Sequence, residues 1–368
     1  MWLDKELSLG SSALWVDWAR NVESDEITVG VATRDGKFIT ITPETWTQKD
    51  VVELDPPTPI WKVVGNHYAT SADCEFALAT LNAGVIGIKV GKGVCWQHPF
   101  GSSCGALTLA HRPVDGKQII IAGALDKTLR GIEIGTGKLV WGQVFLEGVG
   151  FVDIFNVGGE IQAIAGDTAG NVRCFDAYTG LMRWHGEFGN NARFCIPILN
   201  HESNTFTWIV GTDARAINFF EIDDKGKTST LISVPMKDFP WQARVCLNTA
   251  IISTYNFTNL EGPSISTPGE ISALSRNGEI LWTATLSGCV EDFEIFSRNA
   301  GEELDLFAAT NAGMVAWIEP HTGGLIDKLS LSVQSINCIK SIPISKPSEI
   351  RLVAACDDGR VILLKSLK

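Results

Sequence analysis

Two near-identical tetrapeptides hold the chain's clearest candidates for chemistry. ARFC at 192–195 and ARVC at 243–246 put Arg193 and Arg244 at matching points of two repeated units, each beside a strand start. Paired guanidinium groups bind a carboxylate or phosphate through charge-assisted hydrogen bonds. The competing reading is an internal ion pair for each, with an acid such as Asp213 or Asp238. Four aromatic residues belong to the same neighbourhood. The segment 254–268 (TYNFTNLEGPSISTP) is longer than its counterparts, and 236–241 (MKDFPW) links two units. Loops of these two kinds share a rim, which gathers Phe239, Trp241, Tyr255 and Phe257 near the arginines. Aromatic rings beside Arg are the residue types that dominate interface energetics; packing against one another is the alternative fate. The sequon Asn256-Phe257-Thr258 carries little weight in a chain without export features.

Other reactive residues read as structural. The nine cysteines (74, 95, 104, 174, 195, 246, 289, 338 and 356) include no CxxC and no adjacent pair, so neither a disulfide framework nor zinc spacing is present. Five of them (104, 195, 246, 289 and 338) fall near the starts of innermost strands, where a small apolar residue packs well. A metal or thiol cluster there is the sharper alternative, weakened by the lack of His at matching positions. The six histidines (67, 98, 111, 185, 201 and 321) share no repeat position. P-loop, HExxH and DxDxDG patterns are absent from the sequence, and no nucleophile elbow is expected. No catalytic residue, metal or cofactor is expected.

What must position these residues is a repeat. Residues 122–141 (AGALDKTLRGIEIGTGKLVW) align without gaps on 165–184 (AGDTAGNVRCFDAYTGLMRW), with Trp141 on Trp184. Eight copies align on a turn near Gly36, Gly84, Lys127, Gly170, Arg215, Gly269, Gly313 and Gly359. An apolar strand lies on each side of that turn, for example IQAIAG (161–166) and VRCF (172–175). A further strand precedes each hairpin, such as FVDIFNV or ARVCLN, and a fourth follows most of them, as in VCW, LVW, MRW and ILW. Helical periodicity is missing throughout. Units of about 45 residues with four antiparallel strands, each too small to bury its own apolar face, form a β-propeller.

The expected fold is therefore all-β: one eight-bladed propeller domain over 1–368. Its blades fall near 12–54, 58–100, 103–145, 148–188, 192–233, 239–286, 287–331 and 333–368. The eighth copy stops after three strands, so residues 1–9 are expected to supply its outer strand, with Trp2 where Trp141 and Trp184 sit elsewhere. A frayed N-terminus and seven blades are the alternative. The recurrent Trp96, Trp141, Trp184 and Trp282 read as packing between blades, because a ligand site rarely repeats with the fold.

The endings EIGTGKLVW (133–141) and DAYTGLMRW (176–184) resemble the quinoprotein-like, or PQQ-like, propeller repeat. Weaker copies stand at 319–327, 276–282 and 91–96. Segments 153–175 and 292–317 resemble FG-GAP-like blades of scaffold propellers. The resemblance implies a propeller, in families that hold quinone enzymes, outer-membrane assembly factors and noncatalytic scaffolds. Quinone dehydrogenases carry a vicinal Cys-Cys pair, which this sequence lacks, so that activity is not expected. A sialidase-type box is matched only by ACDDGRVI (355–362), without its Ser, Thr and Trp.

The bulk properties narrow the partners. A net charge of −12 and a pI of about 5.0 speak against nucleic acid or an anionic membrane as the main partner. No run of 18 apolar residues suggests a membrane span. The N-terminus has neither a basic leader nor an apolar stretch of signal length. With unpaired thiols, this points to a cytoplasmic protein. The function expected is a noncatalytic scaffold that binds a protein or peptide through the loops of one face, using Arg193, Arg244, Phe239, Trp241, Tyr255 and Phe257. A small-anion or carbohydrate binder or enzyme, with its pocket at the channel mouth, is the alternative; a subunit assembling through its blade edges is a third.

Overall fold

The computed structural model describes residues 1–200, 205–223, 225–257, 267–297, 304–343 and 349–367. Every regular element among them is a strand. Strand β1 (Trp2–Ser8) opens the chain. The first sheet is β2 (Ala13–Arg20), β3 (Ile27–Thr33), β4 (Lys37–Thr42) and β5 (Thr47–Glu53). The second is β6 (Ile60–Gly65), β7 (Phe76–Thr80), β8 (Val85–Lys89) and β9 (Gly93–His98). The third is β10 (Cys104–Arg112), β11 (Lys117–Ala124), β12 (Thr128–Glu133) and β13 (Leu139–Val144). The fourth is β14 (Val149–Val157), β15 (Glu160–Asp167), β16 (Asn171–Asp176) and β17 (Met182–Glu187). The fifth is β18 (Ala192–Asn200), β19 (Thr205–Thr212), β20 (Ala216–Ile222) and β21 (Thr228–Pro235). The sixth is β22 (Phe239–Cys246), β23 (Thr249–Tyr255), β24 (Gly269–Ser275) and β25 (Ile280–Leu286). The seventh is β26 (Val290–Ser297), β27 (Leu304–Thr310), β28 (Met314–Ile318) and β29 (Leu325–Ser330). The eighth joins β30 (Ile336–Ile342), β31 (Glu349–Cys356) and β32 (Arg360–Leu367) to β1.

Eight four-stranded antiparallel sheets make this an eight-bladed β-propeller, and the eighth blade takes its outer strand from the N-terminus as expected. By contact the chain divides into two compact units. One comprises Leu14–Cys195 and Ile222–Ser229; the other comprises Met1–Ala13, Ile196–Glu221 and Thr230–Lys368.

Burial explains which strand each segment became. The second and third strands of a blade are covered on both faces: β7, β11 and β28 are buried almost throughout. Strands covered on both faces lose period-2 alternation and read as continuous apolar runs, as FALAT and IIIAGA do. Fourth strands lie at the edge and alternate or stay exposed, β1 and β29 among them. The hairpin turns use left-handed backbone: Lys127 and Arg215 adopt φ of 70° and 55° where other copies place Gly.

The recurrent tryptophans sit where packing predicts. Trp141 pairs with Gly131 across the blade, and a Cβ on that glycine would lie 2.3 Å from the indole. The other indole face meets Gly180 in the next blade's Thr-Gly turn, where φ is +68° and a Cβ would come within 2.6 Å of the ring. The indole N–H donates to the Ala177 carbonyl at 3.1 Å. Trp96 repeats this latch on Gly137 and the Ile134 carbonyl, and Trp282 on Gly323 and the Pro320 carbonyl. The acid that opens each motif closes its turn: Asp176 accepts from the Thr179 N–H and hydroxyl, Glu319 from those of Thr322. Sequence, turn and packing thus explain the motif together.

One placement needs correction. Trp2 does not occupy the latch position: it pairs with Lys365 and is 41% exposed. Where an outer strand carries the Trp, a bulge immediately precedes it; in β1 the bulge residue is Asp4, which puts Lys5, opposite Leu363, at that point. Aligning on the residue type rather than the bulge shifted the match by three.

Candidate functional site

The innermost strands share a second bulge, near their starts. Two residues face one at Trp61, Gly105, Gly150, Trp241, Glu291 and Asn337. A bulge leaves one residue out of the ladder and re-aims its side chain, so each of these six blades offers one freely chosen group here. On β22 and β26 the choices are Trp241 and Glu291, and both belong to the cluster described next.

All four candidate aromatics come together. Phe239 faces Tyr255 in the β22–β23 ladder. Ring centroids lie 4.8 Å apart for Trp241–Tyr255 and Tyr255–Phe257, 5.6 Å for Phe239–Phe257 and 6.0 Å for Trp241–Phe257. Tyr255 is buried beneath, Trp241 and Phe239 are half-buried, and Phe257 is 39% exposed on top. The Arg215 guanidinium lies 4.8 Å from the Phe239 centroid, within cation–π reach. The route to this cluster differs from expectation: Phe239 and Trp241 lie in strand β22 and not in a link. Pro240 obscured this, since proline argues against a strand except at edges and bulges. Most of the enlarged loop, including Thr258 of the sequon, lies outside the described residues.

Acidic groups adjoin the cluster. The Tyr255 hydroxyl donates to Glu291 Oε1 at 2.7 Å, and the Gln242 amide donates to the Glu291 carbonyl at 2.8 Å. Burial pushes the Glu291 carboxyl up to about 7 against the pull of Tyr255, and the acids Asp292 and Asp357 push it the same way. Burial and then the Glu291 charge raise the Tyr255 phenol in turn. Asp238 is also raised by burial; it accepts from the Asn256 amide at 2.8 Å.

The two arginines stand at different points of their strands. Arg193 is the second of nine residues in β18, whereas Arg244 is the sixth of eight in β22, so their shared tetrapeptide does not mark equivalent points. The two also fall in different compact units. Arg244 pairs with neither Asp213 nor Asp238 in the contacts described for it. Its guanidinium lies 3.6 Å from the fully buried Asp292 and donates to its neighbour's carbonyl, Ala243 O, at 3.0 Å. Asp292 also accepts from the Ile339 N–H at 3.1 Å and faces Lys340 at 3.8 Å. Burial works against the Lys340 charge, but Asp292 and Glu294 outweigh it and raise the ammonium above its ordinary range. This is an ionic network on β22, β26 and β30, and breaking it would strand the buried Asp292 charge.

The cysteines are mostly core residues. Eight of the nine are buried, and burial pushes the Cys104 and Cys356 thiols up to about 12 and Cys246 to about 11. Cys246 is the last residue of β22 rather than near its start. The histidines held a regularity that the sequence hid. Counted from the bulges at Trp61 and Gly105, His67 and His111 occupy the same position on adjacent blades. His67 stacks on Trp18 and His111 on Tyr68, both with centroids 3.7 Å apart. Only the strand register, invisible in a gapless alignment, exposes that equivalence. Among the described residues no helix is long and apolar enough to cross a membrane.

No protein-family model matches the chain, and no curated protein sequence matches it. Solved structures do. The Saccharomyces cerevisiae protein Sqt1 is similar over 100% of this chain and 99% of its own, with 10% identity and a TM-score of 0.78. The computationally designed protein Ika8 covers 98% of both chains at 12% identity and 0.72. BamB from Moraxella catarrhalis covers 100% of this chain and 98% of its own at 14% identity and 0.64. Likeness at such identities shows the fold alone.

Proposed function

We propose that this protein is a noncatalytic propeller platform that binds a protein or peptide partner through the rim formed by the start of β22 and the end of β23. The observation that carries this reading is the four-ring cluster, which leaves Phe257 exposed above buried Tyr255. Large rigid rings on a blade rim supply contact area at low entropic cost. The small-anion alternative loses its anchor, because Arg244 is already neutralised by Asp292. For the same reason the informative substitution is Trp241→Ala rather than a change at Arg244. Partner recovery from the native cell should be lost with Trp241→Ala while the melting temperature stays close to wild type. Equal recovery of the same partner by both proteins would refute the platform.

Two finer assignments belong to the same proposal. The repeats are of the quinoprotein-like type, supported by the indole latch on the Thr-Gly turn in three pairs of neighbouring blades. The protein works in the cytoplasm, a reading supported by nine cysteines that form no disulfide.

A further inference from the structure

We propose that Glu291 and the rings around it form a docking point for an arginine side chain carried between apolar residues of the partner. This deepens the platform reading and rests on it. The argument is one of charge complementarity. Glu291 sits at the β26 bulge, half-buried, with its carboxylate held only by the Tyr255 hydroxyl among the described residues.

The charged groups that act on it, Asp292 from its own strand and Asp357 from the turn before β32, are both acids. The neighbouring cations have other work: Arg244 and Lys340 face Asp292, and Arg215 lies over Phe239. Among the described residues an ionised Glu291 therefore has no counter-charge of its own, in a chain of net charge −12.

A buried carboxylate without a cation is costly, and a guanidinium from outside removes that cost while forming charge-assisted hydrogen bonds. Arginine fits better than lysine. Its planar, weakly hydrated head stacks on aromatic faces, and Trp241 and Phe257 both pack on the Tyr255 ring whose hydroxyl meets the carboxylate. Apolar neighbours on the partner would meet the exposed Phe257. Because the carboxyl titrates near pH 7, only part of the population is ready to receive a cation at neutral pH.

The test uses the full chain, a blocked Leu-Arg-Leu peptide, and its neutral twin with citrulline in place of arginine, followed by tryptophan fluorescence. The arginine peptide should give a saturable change that disappears in Trp241→Phe. Its affinity should be about tenfold tighter at pH 8 than at pH 6, following the ionised fraction of Glu291. The citrulline peptide should bind at least about tenfold more weakly, and Glu291→Gln should lose both the preference and the pH dependence. Equal affinity for the two peptides, a flat pH profile, or no saturable change at millimolar peptide would overturn the proposal. Should Glu291→Gln fold poorly, the peptide pair and the pH series on the wild-type chain decide alone. Loss of the cellular partner in Trp241→Ala without any arginine-peptide binding would leave the platform standing and remove this docking point.

Discussion

The outer-strand latch and the β22–β23 rim are both built from aromatic residues, yet they obey opposite rules. In the latch the same indole meets the same glycine turn in blade after blade, at Trp96, Trp141 and Trp282. At the rim four different rings meet once, over a carboxyl that the corresponding bulges replace with Gly105, Gly150 or Asn337. Repetition marks what the fold requires of each blade. Departure from repetition, at a position whose backbone geometry is still repeated, marks where the fold leaves the residue open to choice.

The largest expected effect is on the latch. Trp141→Ala removes a buried indole and its hydrogen bond, and should cost about 3–5 kcal/mol of stability by denaturant unfolding. A loss below about 1 kcal/mol would erase the distinction between the two regions. Gly180→Ala comes next, at about 2–3 kcal/mol, because it forces a side chain into left-handed backbone against the Trp141 ring.

Glu291→Gln should act in the opposite direction. The folded carboxyl titrates near 7, above its unfolded value near 4.5. Between those values the folded state holds the extra proton, so stability falls as pH rises, and the full penalty is present above pH 7. The glutamine variant should match wild type at pH 4 and exceed it by about 1–2 kcal/mol at pH 8. A difference that is constant with pH would show that Glu291 is not the titrating group. Smallest of all is Trp241→Ala, expected to change stability by about 1 kcal/mol or less, since its ring is only half-buried. A cost as large as that of Trp141→Ala would make the rim an ordinary piece of core.

The blades were legible in the sequence because their signals are local: a double apolar run, a turn with Gly or a left-handed residue, and a Trp at fixed spacing. The eighth blade was legible because the last copy lacks a strand that the N-terminus can supply. Positions set by register were not legible. Trp2 resembled a latch residue by type, while the bulge at Asp4 assigns that place to Lys5. Arg193 and Arg244 looked equivalent because four letters match, but strands β18 and β22 start at different distances from them. The four rings were found because all four fall in the segments read as link and loop, 236–241 and 254–268. Glu291 was missed because its partner Tyr255 lies 36 residues away and nothing local announces the contact.

The bulge near the start of six innermost strands has a consequence for how such a protein can change. A residue that stands outside the hydrogen-bond ladder can be swapped for one of any size or charge without sliding the strands past each other. The six bulges seen here therefore behave like sockets with a common mount, already fitted in this chain with indole, carboxylate, amide or nothing at all. New specificity on this scaffold needs only a change of fitting.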